Sequence, residues 1–158
     1  MLVVFGVVMN FPVGGMLAKG SLPFDFMGLA QQLAERNFNG YLVQTVKSDL
    51  IEEGVLFFRE GTIVACVAEC LGSKKVVKGD EASSYFFNQT KGNGFFHVVE
   101  LAKSQVDLVI AFDEKLLLSK IDLKDIPKLI PIAFEPKFSI EKGDSFSLEN
   151  YGLGELKK

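Results

Sequence analysis

Two apolar runs, Val55–Arg59 and Thr62–Val67, flank the dipeptide Glu60-Gly61. A two-residue loop ending in glycine between such runs predicts a β-hairpin. The loop fixes the register: Arg59 pairs with Thr62, Phe58 with Ile63, Phe57 with Val64, Leu56 with Ala65 and Val55 with Cys66. Alternation then assigns the faces. Leu56, Phe58, Ile63, Ala65 and Val67 share one face, and Val55, Phe57, Val64 and Cys66 share the other. Both faces are apolar. Phe95-Phe96, on a further predicted strand, repeats the pattern of the Phe57-Phe58 pair, since strand neighbours point to opposite sides. A sheet with one wet face alternates apolar with polar residues, and this one does not. Either helices of the chain cover both faces, or one face awaits a second copy or a protein partner. Val55, Phe57, Val64 and Cys66, with Phe95, form the candidate interaction face on the second alternative.

Helices are placed by periodicity. Phe26, Leu29, Ala30 and Leu33 follow the i, i+3, i+4, i+7 stripe behind Asp25, a good N-cap, and predict a helix near 25–36. A second helix runs from Asp80, also read as a cap, to about Thr90, with Ala82, Tyr85, Phe86 and Gln89 on one side. The adjacent rings of Phe86-Phe87 lie about 100° apart on it, so one could reach a second surface. Ser104-Gln105-Val106-Asp107 has capping-box spacing and starts a helix to about Ser119, with Val106, Val109, Ile110 and Leu117 inward. Gly15–Gly20, Tyr41–Val46 and Phe95–Val99 read as strands, Lys47–Glu53 as a polar loop, and Lys74–Gly79 as a basic linker. Pro127, Pro131 and Pro136 break regular structure, and 139–158 reads as a loosely held tail. The fold class is α+β: an antiparallel hairpin meander packed with about three helices. The divisions are an apolar extension over 1–13, one domain over 14–121, and a Pro-spaced segment and tail over 122–158.

Composition narrows the function. With 17 Lys+Arg against 20 Asp+Glu, the formal net charge of −3 argues against nucleic-acid binding by bulk positive charge. Lys74, Lys75 and Lys78 form the one dense basic cluster, read as a solvated loop or as a contact for an anionic partner. Cys66 and Cys70 lie about 13 Å apart if one strand carries both, beyond the roughly 7 Å that a disulfide spans. They read as reduced, which fits a cytoplasmic protein. With His97 they make three N/S ligands at most, short of a four-ligand structural zinc site.

No phosphate-binding P-loop and no GxSxG elbow occurs. Gly92-Asn93-Gly94 and Gly152-Leu153-Gly154 read as turns, and the Asn88-Gln89-Thr90 sequon as coincidental. His97, between Phe95 and Val99, reads as a packed side chain with no nucleophile near it in sequence. The pairs Glu52-Glu53 and Asp80-Glu81 read as solvated or capping. These readings assign no catalytic residue, no metal site and no cofactor, and the expectation is a protein that is not an enzyme.

The chain is also more apolar than most soluble proteins, with 15 Phe and a mean hydropathy of +0.25. Part of that lies at the start, where residues 1–18 carry no charge. Residues 1–9 leave three readings open: an additional strand, a short membrane-seeking anchor, or translation from an upstream start with Met9 or Met16 as the true first residue. Membrane contact through them is a side alternative.

Four segments in order carry a resemblance: Phe38-Asn39-Gly40-Tyr41-Leu42, then Gly54 to Ala65, then Gly79-Asp80-Glu81-Ala82, then Gly94-Phe95-Phe96. This order resembles PATAN-type domains and a related group of uncharacterised archaeal proteins, over about residues 14–112. Gly20–Asp25 also resembles the opening of the archaeal group. Residues 1–9 and the Pro-spaced section have no counterpart in it. The resemblance implies a non-catalytic module. PATAN domains sit beside receiver domains in bacterial signalling proteins and are thought to mediate protein–protein contacts. The expected function is therefore an adaptor working through an apolar face, with an unknown partner or as a homodimer. The alternative is a small-molecule or lipid carrier with a Phe-lined pocket.

Overall fold

A computed structural model describes residues 11–73 and 75–138. Lys74, the readings offered for residues 1–9 and the tail reading for 139–158 lie outside the described residues.

The order of elements is β1 (Gly15–Leu22), α1 (Phe26–Glu35), β2 (Gly40–Lys47), β3 (Ile51–Arg59), β4 (Thr62–Cys70), β5 (Lys75–Lys78), α2 (Asp80–Gln89), β6 (Gly94–Glu100) and α3 (Lys103–Phe112). Two 3-10 turns and α4 (Ile126–Leu129) follow. The six strands form one antiparallel sheet in the order β1-β6-β2-β3-β4-β5. The fold is α+β as expected. It departs from a plain meander because α2 carries the chain back across the sheet, so that β6 inserts between β1 and β2.

The hairpin loop is as expected and its register is not. Glu60 and Gly61 both take positive φ, 50° and 79°, the signature of a type I′ turn. Arg59 still pairs with Thr62 and Phe58 with Ile63. Phe57 then pairs with Ala65, leaving Val64 as a bulge, so Leu56 faces Cys66 and Val55 faces Val67. One extra residue in one strand reverses every later face assignment. Ala65 and Val67 therefore join Val55 and Phe57, while Cys66 joins Leu56 and Phe58.

Each sheet face carries its own core. On one, α1 and α2 bring Phe26, Ala30, Leu33, Ala82, Phe86 and Phe87 against Leu42, Leu56, Phe58, Cys66, Phe96 and Val98. Phe86 and Phe87 are both buried, so neither ring reaches a second surface. On the other, α3 lays Val106, Val109 and Ile110 over Tyr41, Val43, Val55, Phe57, Ala65 and Val67. Residues 11 and 12, expected in an extension, are half-buried on this side of the sheet, with Phe11 packed against the core. The Phe11 ring lies edge-on to Phe57 at 4.8 Å, and the Tyr41 hydroxyl donates to the Pro12 carbonyl at 3.1 Å.

The ends of the helices differ in instructive ways. Asp25 caps α1 as expected, its carboxylate accepting from the Gly28 N–H. Asp80 is the first residue of α2 rather than its cap, and its carboxylate accepts from the Ser119 N–H and hydroxyl at 2.8 and 2.7 Å. In α3 the N-cap is Ala102, and the Gln105 side chain accepts from its N–H. That helix stops at Phe112, because Asp113 turns to φ −148° and caps the short turn that follows. Leu117, expected on the inward face of a longer helix, is instead exposed and bridges to Ala65. Beside it, the Leu118 N–H donates to the Val64 carbonyl.

The Pro-spaced segment packs with the domain as far as Phe138. Ile126 and Phe138 are buried in the α1/α2 core. Asn88 exchanges two hydrogen bonds with the Glu135 backbone, at 2.7 and 3.0 Å. The division expected at residue 121 is therefore not a packing boundary.

Candidate functional site

The expected interaction face is largely interior. Val55 and Phe57 lie fully buried beneath α3, Cys66 is buried on the opposite side of the sheet, and Val64 is half-buried at the bulge. Phe95 alone among these residues is exposed, at 41%. The cause is α3, which fills the space left open for a partner.

The apolar surface has moved outward onto α3 itself. While Val106, Val109 and Ile110 point into the core, Leu108 and Phe112 point away from it. They stand at i and i+4, so they are neighbours on the outer face of the helix. Leu108 is 54% exposed and Phe112 83%. Beside them a groove of ≈ 470 Å³ lies between the second half of α3 and strands β4 and β5, with Phe11, Pro12, Val67 and Leu116 also in its lining. At its rim the Lys78 ammonium meets the Asp113 carboxylate at 2.6 Å. The lysine holds that carboxyl below the ordinary range of an aspartate.

Lys75 and Lys78 therefore do not act as one cluster. They lie on the edge strand β5, where the sequence suggested a linker. Alternation sends Lys78 towards α3 and Lys75 to the other side. Edge lysines of this kind discourage pairing by a further strand.

A second cleft, ≈ 330 Å³, lies on the same sheet face beyond the reach of α3, between Thr45, Ile51, Leu71 and Phe95. His97 is near it, half-buried, with its ring edge-on to Phe95 at 5.5 Å. Burial, and then the Lys19 ammonium, hold the His97 pKa below its usual value.

Glu52 and Glu53, expected in a solvated loop, are buried because β3 begins at Ile51 and lies between β2 and β4. Glu52 points under α2. Its Oε1 accepts from the Gln89 amide at 3.2 Å, while no donor reaches Glu52 Oε2, Gln44 Oε1 or Gln89 Oε1. Gly54 makes room for this group, since a Cβ there would strike the Gln89 amide oxygen. Burial raises the Glu52 pKa, against smaller lowering effects from Gln89 and Lys137. Both cysteines are free and buried, and burial pushes the Cys66 thiol far up. Among the described residues no group of three His, Cys, Asp or Glu could hold a metal ion. No helix among them is long and apolar enough to cross a membrane.

The Leu108–Phe112 surface escaped the sequence reading, although it left a signal. The run Val106-Asp107-Leu108-Val109-Ile110-Ala111-Phe112 is apolar on more of its circumference than one core-facing stripe requires. No curated protein and no solved structure matches the chain. A family model described as an uncharacterized protein conserved in archaea (DUF2226) matches residues 9–113 of the 158, and the protein belongs to that family.

Proposed function

We propose that the protein is a non-catalytic interaction domain that presents the Leu108–Phe112 surface of α3 to another protein. The observation that carries this reading is the Phe112 ring, 83% exposed at the lip of an apolar groove. Interface anchors are typically aromatic side chains of this kind beside a pocket. The resemblance of the Gly54–Ala65 hairpin and its flanking segments to PATAN-type domains supports the same reading, with an adaptor role in signalling as its natural setting. Two unpaired buried cysteines support a reducing, cytoplasmic location.

The test is cross-linking capture from the source cell with the full chain and with its Phe112→Ser variant. A partner should be recovered by the first and lost with the second. Recovery of the same species by both, or of none by either, would refute the proposal.

A second reading, an apolar small ligand, rests on the ≈ 330 Å³ cleft between Ile51 and Phe95. That volume lies at the lower end of ligand sites. Saturable binding of a fatty acid that is lost in Phe95→Arg would support it, and absence of binding to the unaltered chain would end it.

A further inference from the structure

We infer that the occupant of the α3 groove is a second copy of this chain, with the Phe112 ring of each copy seated in the groove of the other. This rests on the interaction reading above and names its partner. Phe112 is both the most exposed aromatic residue of the described surface and a lining residue of the groove beside it. A projection at the lip of its own cavity is the arrangement that a two-fold axis completes, because an isologous interface requires one patch to carry both the knob and the hole. The space suffices. A cavity of about 150 Å³ admits a benzene ring, and the groove is ≈ 470 Å³.

Charge also permits self-association. Lys78 and Asp113, the charged residues that line the groove, neutralise each other within one copy, so the ring of a second copy enters a groove with no unpaired charge among its lining residues. The outer face of α3 supplies Leu108 as a second apolar contact one turn from Phe112.

Size sets the strength. A phenylalanine buries roughly 150–250 Å², and a standard interface takes about 800 Å² from each partner. Phe112 and Leu108 alone supply well under half of that. The association is therefore weak and concentration-dependent rather than obligate.

Sedimentation velocity on the full chain between about 5 and 500 μM tests this, a range chosen to bracket a weak dimer. A monomer–dimer equilibrium should appear, and Phe112→Ser should weaken it by at least tenfold, since each dimer loses two rings. Phe112→Tyr, which keeps the ring, should stay within a few-fold of the original. Thermal melts of both variants should match the parent, because the side chain is exposed. A chain that is monomeric throughout, or a dimer indifferent to Phe112→Ser, overturns the proposal. If the chain is monomeric yet captures another protein through Phe112, the interaction surface stands and the second copy falls. If it is monomeric and captures nothing, both fall.

Discussion

Replacing Glu52 by Gln should stabilise the fold near neutral pH. Glu52 is fully buried between sheet and α2, with a single hydrogen bond, from Gln89. Once ionised, it places a charge beside the Gln89 side chain, whose own Oε1 no donor reaches, while Glu52 Oε2 has no donor either. Its pKa in the folded state is raised, above all by burial. The sign follows from linkage: a carboxyl whose folded pKa exceeds the unfolded value gives its full stability below the unfolded pKa, near 4.5. That contribution is lost as pH rises through the folded value. The parent protein should therefore lose stability as pH rises across this window. Glu52→Gln preserves shape, removes the charge and adds amide donors. Leaving a buried polar group unsatisfied costs about 1–3 kcal/mol, so a gain of ~1–2 kcal/mol near pH 7 is expected. For a domain of this size that is about 3–6 °C in Tm. Thermal denaturation of both proteins between about pH 4.5 and 8 is the assay, the range being set by the carboxyl reference. The two curves should meet at the acid end and separate as pH rises. A variant less stable than the parent at pH 7 would refute the reasoning, because it would show that a donor holds the carboxylate ionised.

Other substitutions test other parts of the fold. Asp25→Ala removes the α1 cap and should cost about 1 kcal/mol by chemical denaturation, with Asp25→Ser recovering most of it. Gly61→Ala should cost roughly 1–3 kcal/mol, because φ is 79° and the new Cβ would lie 2.8 Å from the Ala34 carbonyl oxygen. Asn88→Ala deletes both hydrogen bonds to the Glu135 backbone and should cost about 2 kcal/mol. Hydrogen exchange in that variant should quicken first around 122–138. Ultraviolet titration should show Tyr41 ionising at about 12, well above an ordinary tyrosine, because of burial and then Glu53. Tyr41→Phe should remove that late transition.

Features that depend on local chemistry were legible in the sequence. The Glu60-Gly61 turn, the Asp25 cap, the inward stripe of α1 and the Val106, Val109 and Ile110 part of the α3 stripe need only a few neighbouring residues, and these are found where expected, whereas Leu117 lies beyond the end of α3 and is exposed. Features decided by distant contacts were not. The bulge at Val64 reflects how β4 meets β3 and later segments, which nothing within the hairpin reveals. Glu52 and Glu53 read as loop because charged residues rarely enter an interior strand, and pairing on both sides of β3 overrides that preference. The candidate surface suffered from the same slip. The face reversal after Val64 removes Cys66 from the set, and α3, independently of that reversal, covers Val55 and Phe57. The exposed apolar surface is displayed by Leu108 and Phe112 instead.

The contact between Val64–Ala65 and Leu117–Leu118 has a consequence for aggregation. Strand β5 pairs only with Val67–Cys70, so the first half of β4 has no strand on that side. The Ala65 bridge to Leu117, and the Leu118 N–H on the Val64 carbonyl, occupy that stretch. They act as a clasp over backbone groups that would otherwise template an incoming strand. Leu118→Pro removes the clasp donor and also a side chain packed against the α1/α2 core, so a lower Tm should accompany a marked tendency to fibrillar assembly on storage. The clasp thus guards shelf life as well as fold.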